Sequence, residues 1–314
     1  MNNILLTGAA GYIGSVVAAE LRSRDHFVVG VDRNDKFDTC NENYGHFNYD
    51  NDYEIQELMV NYDIDTVVHI GATSLVGPSV KDPATYYHNN VAGTMKLLDA
   101  CKAQGVKKFV FASSAATYGD QGAGTLAETN TETPSNPYGW SKRMTEIMLQ
   151  DYHRAYGIDS IALRFFNVAG AGFGYGQTKG ATHLIARIME NPEIKVFGND
   201  YDTDDGTCVR DYVHVKDVAR AHTLAVDRLN KSSVCERVNI GSGSGYSVLD
   251  IINTVNEQTD INAIYTITEA RAGDPAILVA DISKAKELLN WEPTYGLDKI
   301  IYSAYSWYKE TETA

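Results

Sequence analysis

The sequence predicts an α/β protein in which a doubly wound parallel sheet is accompanied by a smaller α/β lobe. Three observations support this prediction. Short apolar runs alternate with segments of helical periodicity in the first half of the chain. A glycine-rich turn joins the first apolar run to the first helical segment, and the sequence becomes more polar after Asn167. Such alternation is typical of a parallel sheet covered by helices on both faces.

The predicted strands are nearly continuous apolar runs, as expected for strands buried on both faces. They lie at 3–7, 27–32, 65–71, 107–114 and 159–167. The predicted helices have apolar residues three and four positions apart and lie at 12–24, 53–60, 82–105 and 136–157. The last of these helices has Pro137 near its start and Gly157 at its end, which are typical boundary residues.

Two domains are predicted, since 314 residues suffice for two units of roughly 150 residues each. The first would span 1–168, and the second, smaller lobe would comprise most of 169–314. Within the second range, 211–229 and 236–243 again resemble a helix and a buried strand. A segment of about 211–243 is therefore expected to return to the first sheet.

Composition excludes several classes of partner. Hydrophobic residues make up 44% of the chain, and its net charge of −14 disfavours binding to nucleic acid or to anionic lipid. The cysteines are too widely spaced for a metal site and are expected to be reduced thiols. The N-terminus does not resemble a signal peptide, and no apolar run is long enough to span a membrane. We therefore expect a cytoplasmic protein.

The first turn carries the glycine spacing of a dinucleotide site. Gly8, Gly11 and Gly14 lie between a predicted strand and a predicted helix, where glycine permits a tight turn and close approach to a pyrophosphate. Asp32 ends the second strand and would bind the adenosine ribose hydroxyls while repelling a 2′-phosphate. The sequence therefore predicts a Rossmann-like domain that binds NAD, although the neighbouring Arg33 could accommodate NADP.

Tyr138 and Lys142 are four residues apart and therefore share one face of the predicted helix. Lowering the pKa of a phenol from about 10 to about 7 takes roughly 4 kcal/mol, which a cation about 4 Å away could supply at an effective dielectric constant of about 20. Burial would act in the opposite direction. Ser113 and Ser114 end the preceding strand, where open α/β sheets bind ligands. Together these residues predict acid–base chemistry at Tyr138.

With motifs further along the chain, these residues resemble the extended short-chain dehydrogenase/reductase superfamily and, within it, the UDP-glucose 4-epimerase family. The resemblance covers nearly the whole chain and is most specific in the stretch 197–215. It rests on TGAAGYIGS, YYHNNVAGT, SSAATYGD, PYGWSK, RFFN, FGNDYDTDDGTCVRDYVHV, VNIGSG, RAGDPA and LNW, in that order.

The resemblance implies reversible inversion at C4 of UDP-glucose and UDP-galactose, through a transient 4-keto sugar and with NAD tightly bound. Tyr138 would take the proton of the 4-hydroxyl while the hydride goes to the nicotinamide, and both would return on the opposite face. Lys142 would lower the pKa of Tyr138 and hold the nicotinamide ribose, and Ser114 would contact the 4-hydroxyl. A homodimer built from helices such as 82–104 and 137–156 is also implied.

The family's binding residues carry over to matching positions. For the cofactor these are Gly8, Gly11, Tyr12, Ile13, Gly14, Asp32, Asp50, Asn51, Asn90, Tyr138, Lys142 and Phe166. For the UDP-hexose they are Ser114, Tyr138, Asn167, Leu184, Phe197, Arg210, Arg271, Asp274 and Leu278. Phe197 would line the uracil slot, and the two arginines would hold the diphosphate.

The chain departs from the family pattern at several positions. Ser74 stands where many members have a lysine near the cofactor diphosphate, and Ala116 replaces a threonine that often contacts substrate. Leu278 occupies the position where a tyrosine excludes N-acetylated sugars and smaller residues admit them. Because leucine is intermediate in size, we hypothesise that UDP-N-acetylglucosamine is also accepted.

Other functions of related proteins have different sequence signatures. A 4,6-dehydratase would have an Asp–Glu pair after the strand-end serine, where Ala115 and Ala116 stand here. A 5-epimerase or a reductase of the same superfamily stays open as an alternative. A non-catalytic NAD-sensing protein is a further alternative; such proteins can lose the Tyr–Lys pair, whereas both residues are present here. The acidic stretch 200–206 lacks the glycine and glutamate spacing of a calcium loop, so no metal site is predicted.

Overall fold

The computed structural model describes residues 1–33, 44–46, 52–122, 124–270 and 275–312. Its strands, in chain order, are β1 Asn3–Thr7, β2 Phe27–Asp32, β3 Tyr44–His46, β4 Thr66–His69, β5 Lys108–Ser114, β6 Thr125–Leu126, β7 Asp159–Phe165, β8 Asn167–Ala169, β9 Glu193–Phe197, β10 Val209–His214, β11 Cys235–Ile240, β12 Gly245–Ser247, β13 Ile264–Thr268 and β14 Ile277–Ala280. Its helices are α1 Tyr12–Ser23, α2 Asp52–Asn61, α3 Val76–Lys81, α4 Pro83–Tyr86, α5 Gly93–Gln104, α6 Pro137–Tyr156, α7 Leu184–Glu190, α8 Val215–Leu229, α9 Val248–Gln258, α10 Ser283–Leu289 and α11 Leu297–Glu312.

The main sheet has seven strands in the order β11-β7-β5-β4-β1-β2-β3. β1 pairs in parallel with β2 on one side and with β4 on the other, so the strand order reverses beside β1. Open α/β sheets bind ligands at such a switch point, outside the carboxyl ends of the strands. The predicted doubly wound, mostly parallel sheet is confirmed.

The core of this sheet lies against the helices that follow its strands. Leu5, Val67 and Phe109 from three neighbouring strands are fully buried, together with Leu97 and Leu98 of α5. Burying each such side chain contributes about 1.5–3 kcal/mol relative to leaving it exposed. The nearly continuous apolar runs in the sequence therefore correspond to strands whose side chains are buried in this core.

The chain divides into two compact units at positions that differ from the predicted boundary. The first unit comprises 1–119, 131–164 and 219–238, and the second comprises 120–130, 165–218 and 239–314. The difference is clearest at 211–214, which was predicted to be helical and to belong to the first sheet. This segment lies in β10, which pairs in parallel with β8 and β14 and antiparallel with β12.

The second unit has its own sheets and core. Its larger sheet has the order β12-β10-β14-β6, with β8 also paired to β10, and β9 pairs in parallel with β13. The buried cluster includes Ile188 of α7, Val196 of β9, Ile252 of α9 and Ile300 of α11. The predicted strand 159–167 is divided, with β7 ending at Phe165 and β8 beginning at Asn167.

The predicted helix over 82–105 changes its winding in the middle. Tyr87–Ala92 form a π-helical segment between α4 and α5. Asn90 lies inside this segment, where its Oδ1 accepts from the backbone N–H of Thr73 at 2.8 Å and its Nδ2 donates to the carbonyl oxygen of Thr73 at 2.9 Å. π-Helical turns occur frequently at functional sites.

Across the described part of the chain, no helix combines the length and apolarity needed to cross a bilayer.

Candidate active site

The turn between β1 and α1 approaches neighbouring backbone too closely for side chains. Gly8 has φ of +72°, and a Cβ there would lie 2.6 Å from the backbone nitrogen of Gly71, which follows β4. A Cβ on Gly14 would lie 1.9 Å from the carbonyl oxygen of Gly8. Gly11 precedes α1 without a side-chain cap, so the helix begins with backbone N–H groups. This arrangement fits a pyrophosphate group.

Asp32 is held beside this turn at the end of β2. Its Oδ2 accepts a hydrogen bond from the backbone N–H of Ala10 at 3.0 Å. The bond fixes a carboxylate next to the glycine turn, where the adenosine ribose of a dinucleotide would lie. The residues present therefore fit NAD, and the negative charge disfavours a 2′-phosphate.

Tyr138 and Lys142 face the end of β5 from the first two turns of α6. Asn136 caps the helix through its side chain, which accepts from the backbone N–H of Gly139 at 2.9 Å. The Ser114 side chain lies next to Tyr138, close enough to lower the pKa of its phenol. One turn later, the Lys142 ammonium donates to the carbonyl oxygen of Ala112 at 2.7 Å. The structure thus brings together the three residues that the sequence assigned to chemistry.

Burial acts on both members of the pair. It raises the pKa of Tyr138 above its usual value near 10, and the hydrogen bond from Ser114 opposes this only in part. It also lowers the pKa of Lys142 to about 7, against the attraction of Glu146. The direction at Tyr138 is opposite to the one that the Tyr–Lys spacing predicts. Burial disfavours both charged forms, and Lys142 itself loses charge near neutral pH.

A second tyrosine lies against Tyr138. The ring of Tyr86 meets that of Tyr138 nearly at right angles, with centroids 6.4 Å apart. The Tyr86 hydroxyl is shared between the carbonyl oxygens of Ser74, at 2.6 Å, and Leu75, at 2.7 Å. Leu75 has φ of +84°, which is strained for a residue with a branched side chain. Tyr86 therefore holds this strained segment beside the candidate base.

His69 lies close enough to Lys142 to sense its charge. Burial and the Lys142 ammonium lower the pKa of His69 to about 3, so this ring is neutral at neutral pH. Its Nδ1 is hydrogen-bonded to the Thr7 hydroxyl at 2.6 Å and its Nε2 to the Thr94 hydroxyl at 2.9 Å. Its partners identify it as part of the packed core beneath the site.

The remaining cofactor candidates have different locations. Tyr12 and Ile13 begin α1 and are half-buried, and Asn90 is buried in the π-helical segment. Phe166 is buried in the second unit, where its backbone N–H donates to the carbonyl oxygen of Ile240 at 3.1 Å. Two further candidates fall outside the described residues, namely Asp50 and Asn51.

Three of the predicted substrate residues lie on neighbouring strands of the second unit. Arg210 of β10 is the register partner of Leu278 of β14, and Asn167 of β8 pairs two residues further along β10. Leu184 begins α7 and Phe197 ends β9, two elements that pack on each other. Two other predicted residues, Arg271 and Asp274, lie outside the described residues.

The acidic stretch 200–206 is used for local structure. Asp205 Oδ1 accepts from the backbone N–H of Thr207 at 2.8 Å and from its hydroxyl at 2.7 Å, and Oδ2 accepts from Ser247, the N-cap of α9. Among the residues that the structure describes, no group of three or more His, Cys, Asp or Glu side chains could hold a metal ion.

Two features of the site were missed from the sequence. Glu146 continues the stripe of Tyr138 and Lys142 by one more turn and accepts a hydrogen bond from Ser113 at 2.6 Å. Its spacing of four residues from Lys142 was a usable signal. The contact of Tyr86 with the Ser74 and Leu75 carbonyls had no such signal, because it depends on the positive φ of a leucine.

Comparison with known proteins identifies the family of the chain. The sequence profile of the NAD dependent epimerase/dehydratase family matches residues 4–241. A UDP-glucose 4-epimerase from Halalkalibacterium halodurans is 38% identical, over 98% of this chain and 96% of the relative.

Two solved structures have nearly the same fold. A UDP-glucose-4-epimerase from Stenotrophomonas maltophila, with bound NAD and formylated UDP-arabinopyranose, is 34% identical with a TM-score of 0.95, over 100% of this chain and 99% of that one. The UDP-Glc/GlcNAc 4-epimerase from Campylobacter jejuni is 34% identical with a TM-score of 0.87, over 99% of this chain and 100% of that one. The resemblance seen in the sequence is confirmed, and the chain belongs to the NAD dependent epimerase/dehydratase family.

Proposed function

We propose that this protein interconverts UDP-glucose and UDP-galactose by reversible inversion at C4, through a transient 4-keto sugar and with NAD remaining bound. The observation that carries the proposal is the contact of Tyr138 with Ser114, one helical turn from Lys142 and in the same unit as the glycine turn. Similarity over nearly the full length to proteins named UDP-glucose 4-epimerase supports it.

NAD would be held by the first unit. The turn of Gly8, Gly11 and Gly14 would place the α1 N-terminus against the pyrophosphate, and Asp32 would accept from the adenosine ribose. When bound, NAD would supply the acceptor and donor of the hydride. Lys142 would also bind the nicotinamide ribose, as the family resemblance implies.

Tyr138 would take the proton from the 4-hydroxyl and return it on the opposite face of the 4-keto sugar. A phenol whose pKa is raised becomes a strong base once ionised. The Ser114 hydroxyl would stabilise that ionised form by donating to it. Lys142, with a pKa of about 7, changes charge in the pH range where the proton must move.

The second unit would bind the nucleotide. Arg210 lies at a sheet position from which a guanidinium could contact a diphosphate, with Leu278 as its neighbour across the strands. We also propose that UDP-N-acetylglucosamine is a substrate, supported by the moderate size of Leu278 and by similarity to the relative named UDP-Glc/GlcNAc 4-epimerase. Assaying both sugars side by side tests this, and turnover of UDP-glucose alone would exclude it.

The first test of the proposed function is incubation with UDP-galactose. UDP-glucose should form without net production of NADH. Changing Tyr138→Phe should lower turnover by roughly 10²–10⁴-fold while NAD stays bound. The matched control is Tyr152→Phe on the same helix, whose hydroxyl donates to Asp99 at 2.8 Å, away from β5. Equal turnover in the two variants would refute the role of Tyr138.

A homodimer is proposed on the basis of an exposed apolar stripe. Met95 of α5 is 45% exposed, and Trp140, Met144 and Ile147 of α6 are 40%, 38% and 42% exposed. Large apolar side chains grouped on a surface indicate a protein interface. Ile147→Glu should give a monomer by light scattering, whereas Val80→Glu on α3 should leave the mass unchanged. A wild-type protein of monomer mass would exclude the dimer.

A cytoplasmic location is proposed as well, supported by free cysteines, which are typical of reducing compartments. Among the residues that the structure describes, the thiols of Cys101 and Cys235 form no disulfide. Cell fractionation with an antibody to the protein tests this, and recovery outside the cytoplasmic fraction would contradict it.

A further inference from the structure

Glu146 is a buried acid that the proposed chemistry does not use. It lies in α6 one turn beyond Lys142 and is 1% exposed. Arg164 binds it with two hydrogen bonds, from Nε to Oε1 at 2.9 Å and from Nη2 to Oε2 at 2.6 Å. The Ser113 hydroxyl donates to Oε1 at 2.6 Å. Such a bidentate pair fixes the carboxylate in place.

A second carboxylate shares the same arginine. Arg164 also donates to Glu132, which forms further ion pairs with Arg143, at 2.6 Å, and with Arg237. Arg164 would therefore keep a charged partner if Glu146 became neutral. Glu132 also provides a matched comparison, because it belongs to the same cluster but makes no described contact with β5.

Three residues of one helical stripe hold three consecutive residues at the end of β5. Tyr138 contacts Ser114, Lys142 contacts the Ala112 carbonyl, and Glu146 binds the Ser113 hydroxyl between them; these contacts lie within the first unit. We propose that Glu146 is a positioning residue, which fixes the Lys142 ammonium and the end of β5 for proton transfer at Tyr138. This proposal rests on the proposed function.

The charge of Glu146 supports the same role. Its attraction raises the pKa of Lys142, against the burial that lowers that pKa to about 7. Removing the charge should lower the pKa further. Other ionisable groups lie near Lys142 and Glu146. His69 is neutral and therefore does not supply the charge of Glu146. The charged neighbours lie on α6, β7, β11 and the segment before α6. These neighbours are Arg143, Arg164, Arg237 and Glu132.

The test compares Glu146→Gln with Glu132→Gln. Glutamine keeps the shape and an acceptor for Ser113 but removes the charge. We expect Glu146→Gln to move the acidic limb of the pH–rate profile down by about one pH unit and to lower the plateau rate about tenfold. Glu132→Gln should leave the limb in place, even if it lowers stability.

A second readout does not depend on activity. The titration of Lys142 can be followed by NMR with ¹³C-labelled lysine in the protein without added cofactor, with the signal assigned by its loss in Lys142→Met. Its midpoint should fall by about one pH unit in Glu146→Gln and stay unchanged in Glu132→Gln. This separates failure of the present inference from failure of the proposed function, since it does not require an epimerase.

Each outcome decides the proposal. Unchanged Lys142 titration in Glu146→Gln, or equal shifts in both variants, would overturn it and leave Glu146 a role in stability alone. If Glu146→Gln is not recovered folded, the paired variant Glu146→Gln with Arg164→Met removes the whole buried ion pair, a replacement that folded proteins often tolerate. The Lys142 midpoint there should lie below that of Glu132→Gln with Arg164→Met, which loses the same arginine but keeps the Glu146 charge. Equal midpoints in these two paired variants would refute the proposal.

Discussion

The glycine turn is proposed to have two roles, which are to let α1 pack closely on the preceding backbone and to leave room for a pyrophosphate. Replacing Gly14 by alanine should disturb the first role. Gly14 lies in α1, and a Cβ there would lie 1.9 Å from the carbonyl oxygen of Gly8 and 2.8 Å from its carbon. Both are backbone atoms, so no flexible side chain can move away. An ordinary contact needs 3.4 Å or more, which means that α1 and β1 would have to separate by 3.4 − 1.9 = 1.5 Å.

Gly11 supplies the matched comparison, because a Cβ there would approach the same oxygen of Gly8 but only to 3.3 Å. Overpacking of the Gly14→Ala kind costs about 1–3 kcal/mol and should lower Tm by about 2–4 °C. Gly11→Ala should leave Tm within about 1 °C, because a shift of a few tenths of an ångström suffices. It should instead weaken NAD binding, since its methyl group would stand where the pyrophosphate is proposed to approach α1.

Differential scanning calorimetry without cofactor and isothermal titration with NAD measure the two effects separately. We expect a stability loss for Gly14→Ala and roughly tenfold weaker binding for Gly11→Ala with little stability loss. Equal stability of the two variants would refute the reasoning from the close approach. Unchanged NAD affinity in both would refute the placement of the cofactor at this turn.

Three further predictions concern charged side chains. Asp217→Ala should cost about 2–4 kcal/mol in urea unfolding, because the backbone N–H groups of Thr294, at 2.9 Å, and Tyr295, at 3.1 Å, would lose their acceptor. Lys142→Met should stabilise the fold by up to about 4 kcal/mol near pH 6. Because the pKa of Lys142 is lowered to about 7 in the folded protein, the unfolded chain binds more protons between pH 7 and 10.5. The stability of the wild-type protein should therefore rise over that pH range. The stability gained by Lys142→Met should disappear over the same range. Asp32→Ala should weaken NAD binding and reduce discrimination against NADP, measured by titrating both cofactors; unchanged discrimination would contradict the role of Asp32.

Much of the site could be predicted from local sequence because its residues lie at the ends of strongly patterned elements. Gly8 follows β1 and Asp32 ends β2, and because these two strands pair in parallel, both residues lie at the same edge of the sheet. Tyr138 and Ser114 were found for the same reason, since one begins a capped helix and the other ends a buried strand. Periodicity and boundary residues were enough to identify these elements.

The parts that could not be predicted depend on long-range contacts. The segment Asp211–His214 resembles the start of a helix in sequence, but its strand pairing with β8 makes it extended. Asp211 itself is buried and accepts from the backbone N–H groups of Ser242, at 2.5 Å, and Ala280, at 3.1 Å. No local pattern indicates these partners. The π-helical segment at Asn90 is likewise decided by its bonds to a distant loop.

The ionisation of the pair shows why spacing alone could not establish its chemistry. The pair can exist as a neutral Tyr138 phenol with a neutral Lys142 amine, or as a phenolate with an ammonium. These two forms contain the same number of protons, so the pair can exchange between them without a proton from solvent. Burial raises the pKa of Tyr138 and lowers that of Lys142 to about 7, so both effects favour the uncharged form. Hydrogen bonds such as that from Ser114, together with nearby charges, oppose that preference. Glu146 favours the ammonium, so part of the charge balance that the proposed base Tyr138 would need lies one helical turn beyond the Tyr–Lys motif.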